Sequence, residues 1–146
     1  STTQLNTPGS ELCDLEGVHA MTDVTGFALL GHALEIARGS GLRAKVEFAS
    51  LPVLPGVAEL ARAGFVTGAS GRNWTSYGAG VSLFDGCADW QQAILTDPQT
   101  SGGLLVSCAP EAVDEVLLKS VEHRAVPAAT FEIPAGYARK ELGAQP

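Results

Sequence analysis

The sequence predicts an α+β, or layered α/β, domain, and three observations carry that reading. Two short runs at Gly17–Val24 and Leu104–Ser107 suit strands, and a helix-period apolar pattern occupies Thr25–Arg38. The two kinds of element are mixed along the chain with no internal repeat. The 146 residues are 45% hydrophobic and only 17% charged, enough for the core of one ordinary domain.

Taken in order, residues 1–10 are polar and contain Pro8 and Gly9, which reads as a linker or incoming strap. A strand over Gly17–Val24 then feeds a helix over Thr25–Arg38. Its stripe is Phe27, Leu30, Leu34 and Ala37, widened by Leu29, Ala33 and Ile36; His32, Glu35 and Arg38 take the remaining face. Gly39 and Gly41 supply the stop. Leu42–Phe48 alternates as a strand, and Pro52–Gly64 predicts a short helix that Gly64 ends. Val66–Gly80 is rich in Gly, Ser and Thr and reads as a long loop, a length more often found where a loop has a function. After the second strand, Pro110 opens a helix to about Val121. Glu111, Asp114 and Glu115 stand early in it and Lys119, His123 and Arg124 late, as the helix dipole prefers. The closing residues 134–146 read as an irregular tail.

Composition excludes several classes. The formal net charge is −7 and no cluster of Lys and Arg exists, so nucleic acid phosphates find no electrostatic footprint. No run of about 18 apolar residues is present to cross a membrane. Residues 1–10 show no secretory signal, and no methionine stands at position 1, so the chain is expected to begin inside a longer protein or to follow processing. Cys13, Cys87 and Cys108 are odd in number and widely spaced, which points to neither a disulfide framework nor a zinc site, and to a reducing cytoplasm. Cys13 reads as inert, and His19 and His32 as packed or surface residues without metal-ligand spacing.

Two segments carry chemistry. In Thr22-Asp23-Val24-Thr25-Gly26-Phe27 a strand end runs straight into a helix start, where free backbone N–H groups favour anions. Gly26 permits close approach of a ligand, and Thr22 and Thr25 offer hydroxyls. Asp23 suits a Mg²⁺ ion, which takes one or two carboxylates together with substrate phosphates. The same residue types serve equally as a plain helix cap. In Thr96-Asp97-Pro98-Gln99-Thr100-Ser101-Gly102-Gly103, Asp-Pro starts a turn and Thr-Ser-Gly-Gly follows with hydroxyls and permissive backbone. Such a turn can cradle phosphate through its amides, or can simply lead into the strand.

The strings MTDVTGFALLGH at 21–32 and LTDPQTSGGLL at 95–105 resemble the two C-terminal signatures of the selenophosphate synthetase (selenide, water dikinase) family, and the likeness extends from about residue 11 to 121. The wider superfamily includes aminoimidazole ribonucleotide synthetase, thiamine-monophosphate kinase and a hydrogenase maturation factor. The resemblance implies a three-layer α/β/α domain over residues 11–133, with partial ferredoxin-like topology. It implies a cytoplasmic, homodimeric parent enzyme that makes selenophosphate from selenide, ATP and water, releasing AMP and phosphate. The nucleophilic Cys or selenocysteine, an essential Lys and much of the metal site belong to an N-terminal catalytic domain that this chain does not include. Carried over residue by residue, Asp23 becomes a Mg²⁺ ligand. Thr22, Thr25 and Gly26 fall near the ATP phosphates, and Thr100, Ser101, Gly102 and Gly103 on the cleft rim. No catalytic nucleophile falls in this chain, which by itself is expected to be inactive. One position departs: the family has Gly where this chain has Ala28, a better residue for a helix interior. A different class of function stays open beside this one, a stand-alone module that binds ATP or a partner without chemistry, or a related ATP-using enzyme of the superfamily.

Overall fold

The computed structural model describes residues 6–122. Helix α1 (Gly9–Leu12) precedes strand β1 (Val18–Asp23), then come helices α2 (Ala28–Gly39), α3 (Val57–Arg62), α4 (Gly68–Tyr77) and α5 (Asp89–Thr96). Strand β2 (Leu104–Cys108) and helix α6 (Val113–Glu122) complete the order. The fold is α+β. The sheet among the described residues has two strands, antiparallel, with Met21 opposite Val106, Thr22 opposite Leu105 and Asp23 opposite Leu104. The whole block α2–α5 is inserted between these paired strands, so the ends of β1 and β2 at Asp23 and Leu104 share one edge of that block.

Both strands, α3 and the helix after Pro110 lie where the sequence places them, as does α2 beyond its first turn. The glycine stops work through a defined bond pair. Gly41 has a φ of 64° and donates to Arg38 O while Leu42 donates to Ala37 O; Gly64 has a φ of 88° and donates to Ala61 O while Phe65 donates to Leu60 O. Each left-handed residue turns the chain back over the orphan carbonyls of the last turn. The 3₁₀ turn Pro110–Ala112 leads into α6, which Pro110 starts without losing a hydrogen bond.

The core is built by α2, α4 and α5. Leu30, Tyr77 and Leu95 form its buried centre, with Leu29, Leu34, Trp74 and Phe48 packed around them. Burying each such leucine stabilises the fold by about 1.5–3 kcal/mol. Leu12 of α1 is fully buried, and α1 packs against α6.

Four expectations are corrected. Val66–Gly80 is not a loop, since Gly68–Tyr77 forms α4 followed by a 3₁₀ turn at Gly78–Gly80. Its sequence GASGRNWTSY has poor helix propensity, and tertiary bonds override it. Thr67 caps it by accepting from Ser70 N, and Ser70, Asn73 and Tyr77 are buried. Leu42–Phe48 forms no strand, because no neighbouring segment among the described residues pairs with it. Helix α5 has no counterpart in the sequence reading; Gln91 Oε1 helps start it by accepting from Ala88 N at 2.9 Å. Finally, α2 begins three residues later than expected, with His32 buried at 7% exposure and Phe27 at 53%. The basic His123 and Arg124 and the tail at 134–146 lie outside the described residues.

Candidate functional site

The two motifs meet along one hydrogen-bonded seam. Beyond Asp23 and Leu104 the ladder continues through the loops: Val24 N donates to Gly103 O at 2.9 Å, and Gly102 N to Val24 O at 3.2 Å. Gln99 N then donates to Thr25 O at 3.0 Å. Segments far apart in sequence thus become two sides of one short ribbon.

Every carbonyl from Val24 to Phe27 accepts a bond from the protein. Val24 O and Thr25 O are held by the second motif, Gly26 O by Asn73 Nδ2 at 2.9 Å, and Phe27 O by the Tyr77 hydroxyl at 2.8 Å. Burial raises the Tyr77 phenol above its ordinary value, so it stays protonated and donates. By contrast, the amides of Thr25, Gly26 and Phe27 have no acceptor among the described residues. Three successive N–H groups at the start of a helix, with their carbonyls tied away, form an anion-facing backbone. Space supports the same reading. Nothing lies within 4 Å of a Cβ built on exposed Gly26, so the face is open for a ligand.

Asp23 is the last residue of β1, exposed, and no described residue bonds or pairs with its carboxylate. It does not cap α2. The cap position is Phe27, and no side chain bonds the first-turn amides, which removes the capping alternative for Asp23 and Thr25 alike. Thr22 pairs with Leu105 and turns its hydroxyl to Asp23 O at 3.2 Å. The Thr25 hydroxyl lies 3.3 Å from His32 Nε2, whose Nδ1 lies 3.3 Å from Glu35 Oε2. His32 therefore braces the motif from below. Thr100 is exposed and Ser101 half-buried in the bend before Gly102, and Gly103 has a φ of 83°. At Gly102 a Cβ would sit 2.5 Å from Val24 O, so only glycine allows the seam to close. Asp97 is structural: its carboxylate accepts from Thr67 Oγ1 at 2.9 Å and anchors the second motif to the start of α4.

Ala28 is the surprise of the first motif. It is fully buried with a φ of 61°, a left-handed conformation that costs a residue with a Cβ about 1–2 kcal/mol. The helix-interior argument in favour of alanine fails at this position, because the backbone here suits glycine.

The sequence alone reads Asn73-Trp74-Thr75-Ser76-Tyr77 as loop residues, either simply anchored or in contact with nucleotide or a missing domain; the structure instead sets Asn73 and Tyr77 on α4, bonded to Gly26 O and Phe27 O. The signal available was Thr67 with Ser70 as a helix start, followed by Trp74 and Tyr77 three apart. Among the described residues no group of three or more His, Cys, Asp and Glu can hold a metal ion, and no helix is long and apolar enough to cross a membrane. A single open carboxylate fits Mg²⁺ only as one ligand beside phosphate oxygens and ligands from elsewhere. The three cysteines are free.

A sheet edge, a helix start and a glycine seam thus meet at one open edge, with the amides of Thr25, Gly26 and Phe27 and the Asp23 carboxylate unbonded among the described residues. The chain belongs to the family described as AIR synthase related protein, C-terminal domain, which matches residues 7–130. Within that class it is similar to the selenide, water dikinase of Dechloromonas aromatica (strain RCB), 63% identical over 123 residues, or 84% of this chain and 35% of that protein. The selenide, water dikinase of Burkholderia ambifaria (strain MC40-6) is 65% identical over 117 residues, 80% of this chain and 33% of that protein. That of Rhizobium meliloti (strain 1021) is 55% identical over 119 residues, 82% of this chain and 34% of that protein. The chain spans about a third of the length of these relatives.

Proposed function

We propose that this chain is the C-terminal domain of a selenide, water dikinase, forming one wall of the cleft where ATP is split to phosphorylate selenide. The observation that carries the reading is the seam itself. Two motifs that resemble that family's signatures are hydrogen-bonded side by side, with three amides and a carboxylate at their open edge that no described residue pairs with. The relatives' identity of 55–65% over this same region supports it.

In this proposal the amides of Thr25, Gly26 and Phe27 hold phosphate oxygens, and Gly26 lets the phosphate come close. Thr22, Thr100, Ser101, Gly102 and Gly103 complete the rim. Asp23 contributes one oxygen to Mg²⁺, which would neutralise charge between carboxylate and phosphates. The wall's work is positioning and charge neutralisation around the phosphoryl groups, the two terms that dominate phosphoryl transfer. The nucleophile and the remaining metal ligands come from an N-terminal catalytic domain, in a homodimeric cytoplasmic enzyme. Atoms balance: ATP, selenide and water give selenophosphate, AMP and phosphate.

The test is selenide-dependent AMP formation by the full-length protein that carries this chain, run beside the 146-residue chain alone. Activity is expected from the first and none from the second. A folded full-length protein that forms no AMP in the presence of selenide and Mg²⁺ refutes the proposal.

A further inference from the structure

Helix α4 belongs to neither motif, yet one of its side chains touches both. Asn73 is 8% exposed, and its amide nitrogen donates to Gly26 O at 2.9 Å and to Thr96 O at 3.0 Å. Gly26 is the open glycine of the first motif, and Thr96 is the last helical residue before the turn of the second. An amide nitrogen has two hydrogens, so both carbonyls are satisfied by one group. The orientation of the amide is forced, since its oxygen turned toward two carbonyl oxygens would be repelled. The seam, through Val24 with Gly102–Gly103 and Thr25 O with Gln99 N, fixes the two motifs from the strand end as far as Thr25. The Asn73 bridge fixes them again at the helix end. Around it, Ser70 Oγ and Thr96 Oγ1 lie 2.7 Å apart and Thr67 bonds Asp97, so α4 presses along the whole entry to the second motif.

We infer that Asn73 is a positioning residue that sets the first motif's anion-facing amides at a fixed spacing from the Gly102–Gly103 turn, and so tunes the affinity for nucleotide phosphate. The inference rests on the nucleotide-wall reading above. With the bridge intact, the Gly26 carbonyl is held inward and the amides that follow it stay presented. Without it, the loop keeps its Val24 and Thr25 bonds to the second motif and its Tyr77 anchor, and the spacing of Gly26 and the Phe27 amide from that motif is free to vary.

The experiment uses the full-length protein with Asn73→Asp, whose acceptor-only carboxylate faces both carbonyls, and Asn73→Ser, a smaller donor that reaches at most one. Hydrogen exchange is followed by mass spectrometry on peptides covering 22–30 and 96–104, with peptides of β1 and β2 as the internal reference. For both variants, exchange in both loop peptides is expected to quicken while the strand peptides are unchanged. The KM for MgATP is expected to rise about tenfold, the factor that corresponds to loss of roughly one such hydrogen bond, with kcat changed less. Should Asn73→Asp fail to fold, Asn73→Ser carries the test. Quickening of one loop only, or of the whole chain together, overturns the bridge. If both loops quicken but the unaltered protein neither binds MgATP nor uses it, the bridge stands mechanically and the nucleotide reading fails; its tuning of nucleotide affinity falls with it.

Discussion

Replacing Gly102 by alanine tests whether the two motifs are held in register by contact of backbone on backbone. The added Cβ would lie 2.5 Å from Val24 O and 2.9 Å from Gln99 Cβ. The φ of Gly102 is not in the left-handed region, so space and not conformation is the constraint. Neither neighbour can swing aside: the Gln99 Cβ moves only with its backbone, whose N–H is held by Thr25 O, and Val24 is bonded to Gly102 and Gly103 through both of its backbone groups. Relief therefore requires the strands to part at this point. Forcing a methyl into a packed contact costs about 1–3 kcal/mol, and weakening one or two backbone hydrogen bonds about 1 kcal/mol each, for a total of about 2–5 kcal/mol. For a domain of this size that lowers Tm by about 5–20 °C. Thermal unfolding followed by circular dichroism reads it directly. A Gly102→Ala protein that melts within about 2 °C of the parent would show that the seam is not close-packed, and the reasoning from it would fall.

Two further substitutions separate fold from site. Gly26→Ala meets open space and should leave Tm unchanged, yet its methyl occupies the face where phosphate is proposed to sit, so affinity for MgATP in the full-length protein should fall; unaltered affinity would remove Gly26 from the site. Ala28→Gly relieves about 1–2 kcal/mol of backbone strain but loses a buried methyl worth about 0.8 kcal/mol and about 0.4–1 kcal/mol to added freedom of the unfolded chain, a net close to zero. Ala33→Gly, buried on the same helix with no such strain, should cost about 2 kcal/mol in urea unfolding, and equal costs at the two positions would contradict the left-handed backbone at Ala28.

What was legible in the sequence divides along physical lines. Elements stabilised by their own pattern were readable: the apolar stripe of α2, the glycine ends of α2 and α3, and Pro110 with its acidic first turn. So were the strand-to-helix turn at Asp23–Gly26 and the glycine turn at Thr100–Gly103, which the fold brings side by side, because such turns present amides whatever surrounds them. Elements stabilised mainly by partners were not. Helix α4 has a weak sequence and persists through the Thr67 cap, the Asn73 bridge and the Tyr77 bond to Phe27 O. The alternation in Leu42–Phe48 lacks a neighbour and forms no strand. Ala28 shows the same limit within a single residue. Its helix propensity is favourable, while the backbone it must adopt is set by Thr25 O, which its own N–H meets at 3.0 Å, and by the turn at Gly26–Phe27.

Asp23→Asn in the full-length protein tests the proposed wall most directly. The side chain is exposed, unpaired among the described residues and not a helix cap, so stability should change by no more than about 0.5 kcal/mol. If its carboxylate holds Mg²⁺ against phosphate, selenide-dependent AMP formation should fall at least about tenfold, since such charge stabilisation is worth several kcal/mol and 1.4 kcal/mol is a factor of ten. The Mg²⁺ concentration giving half-maximal rate should rise in parallel. An Asp23→Asn enzyme with the parent's rate at the parent's Mg²⁺ requirement would contradict the account.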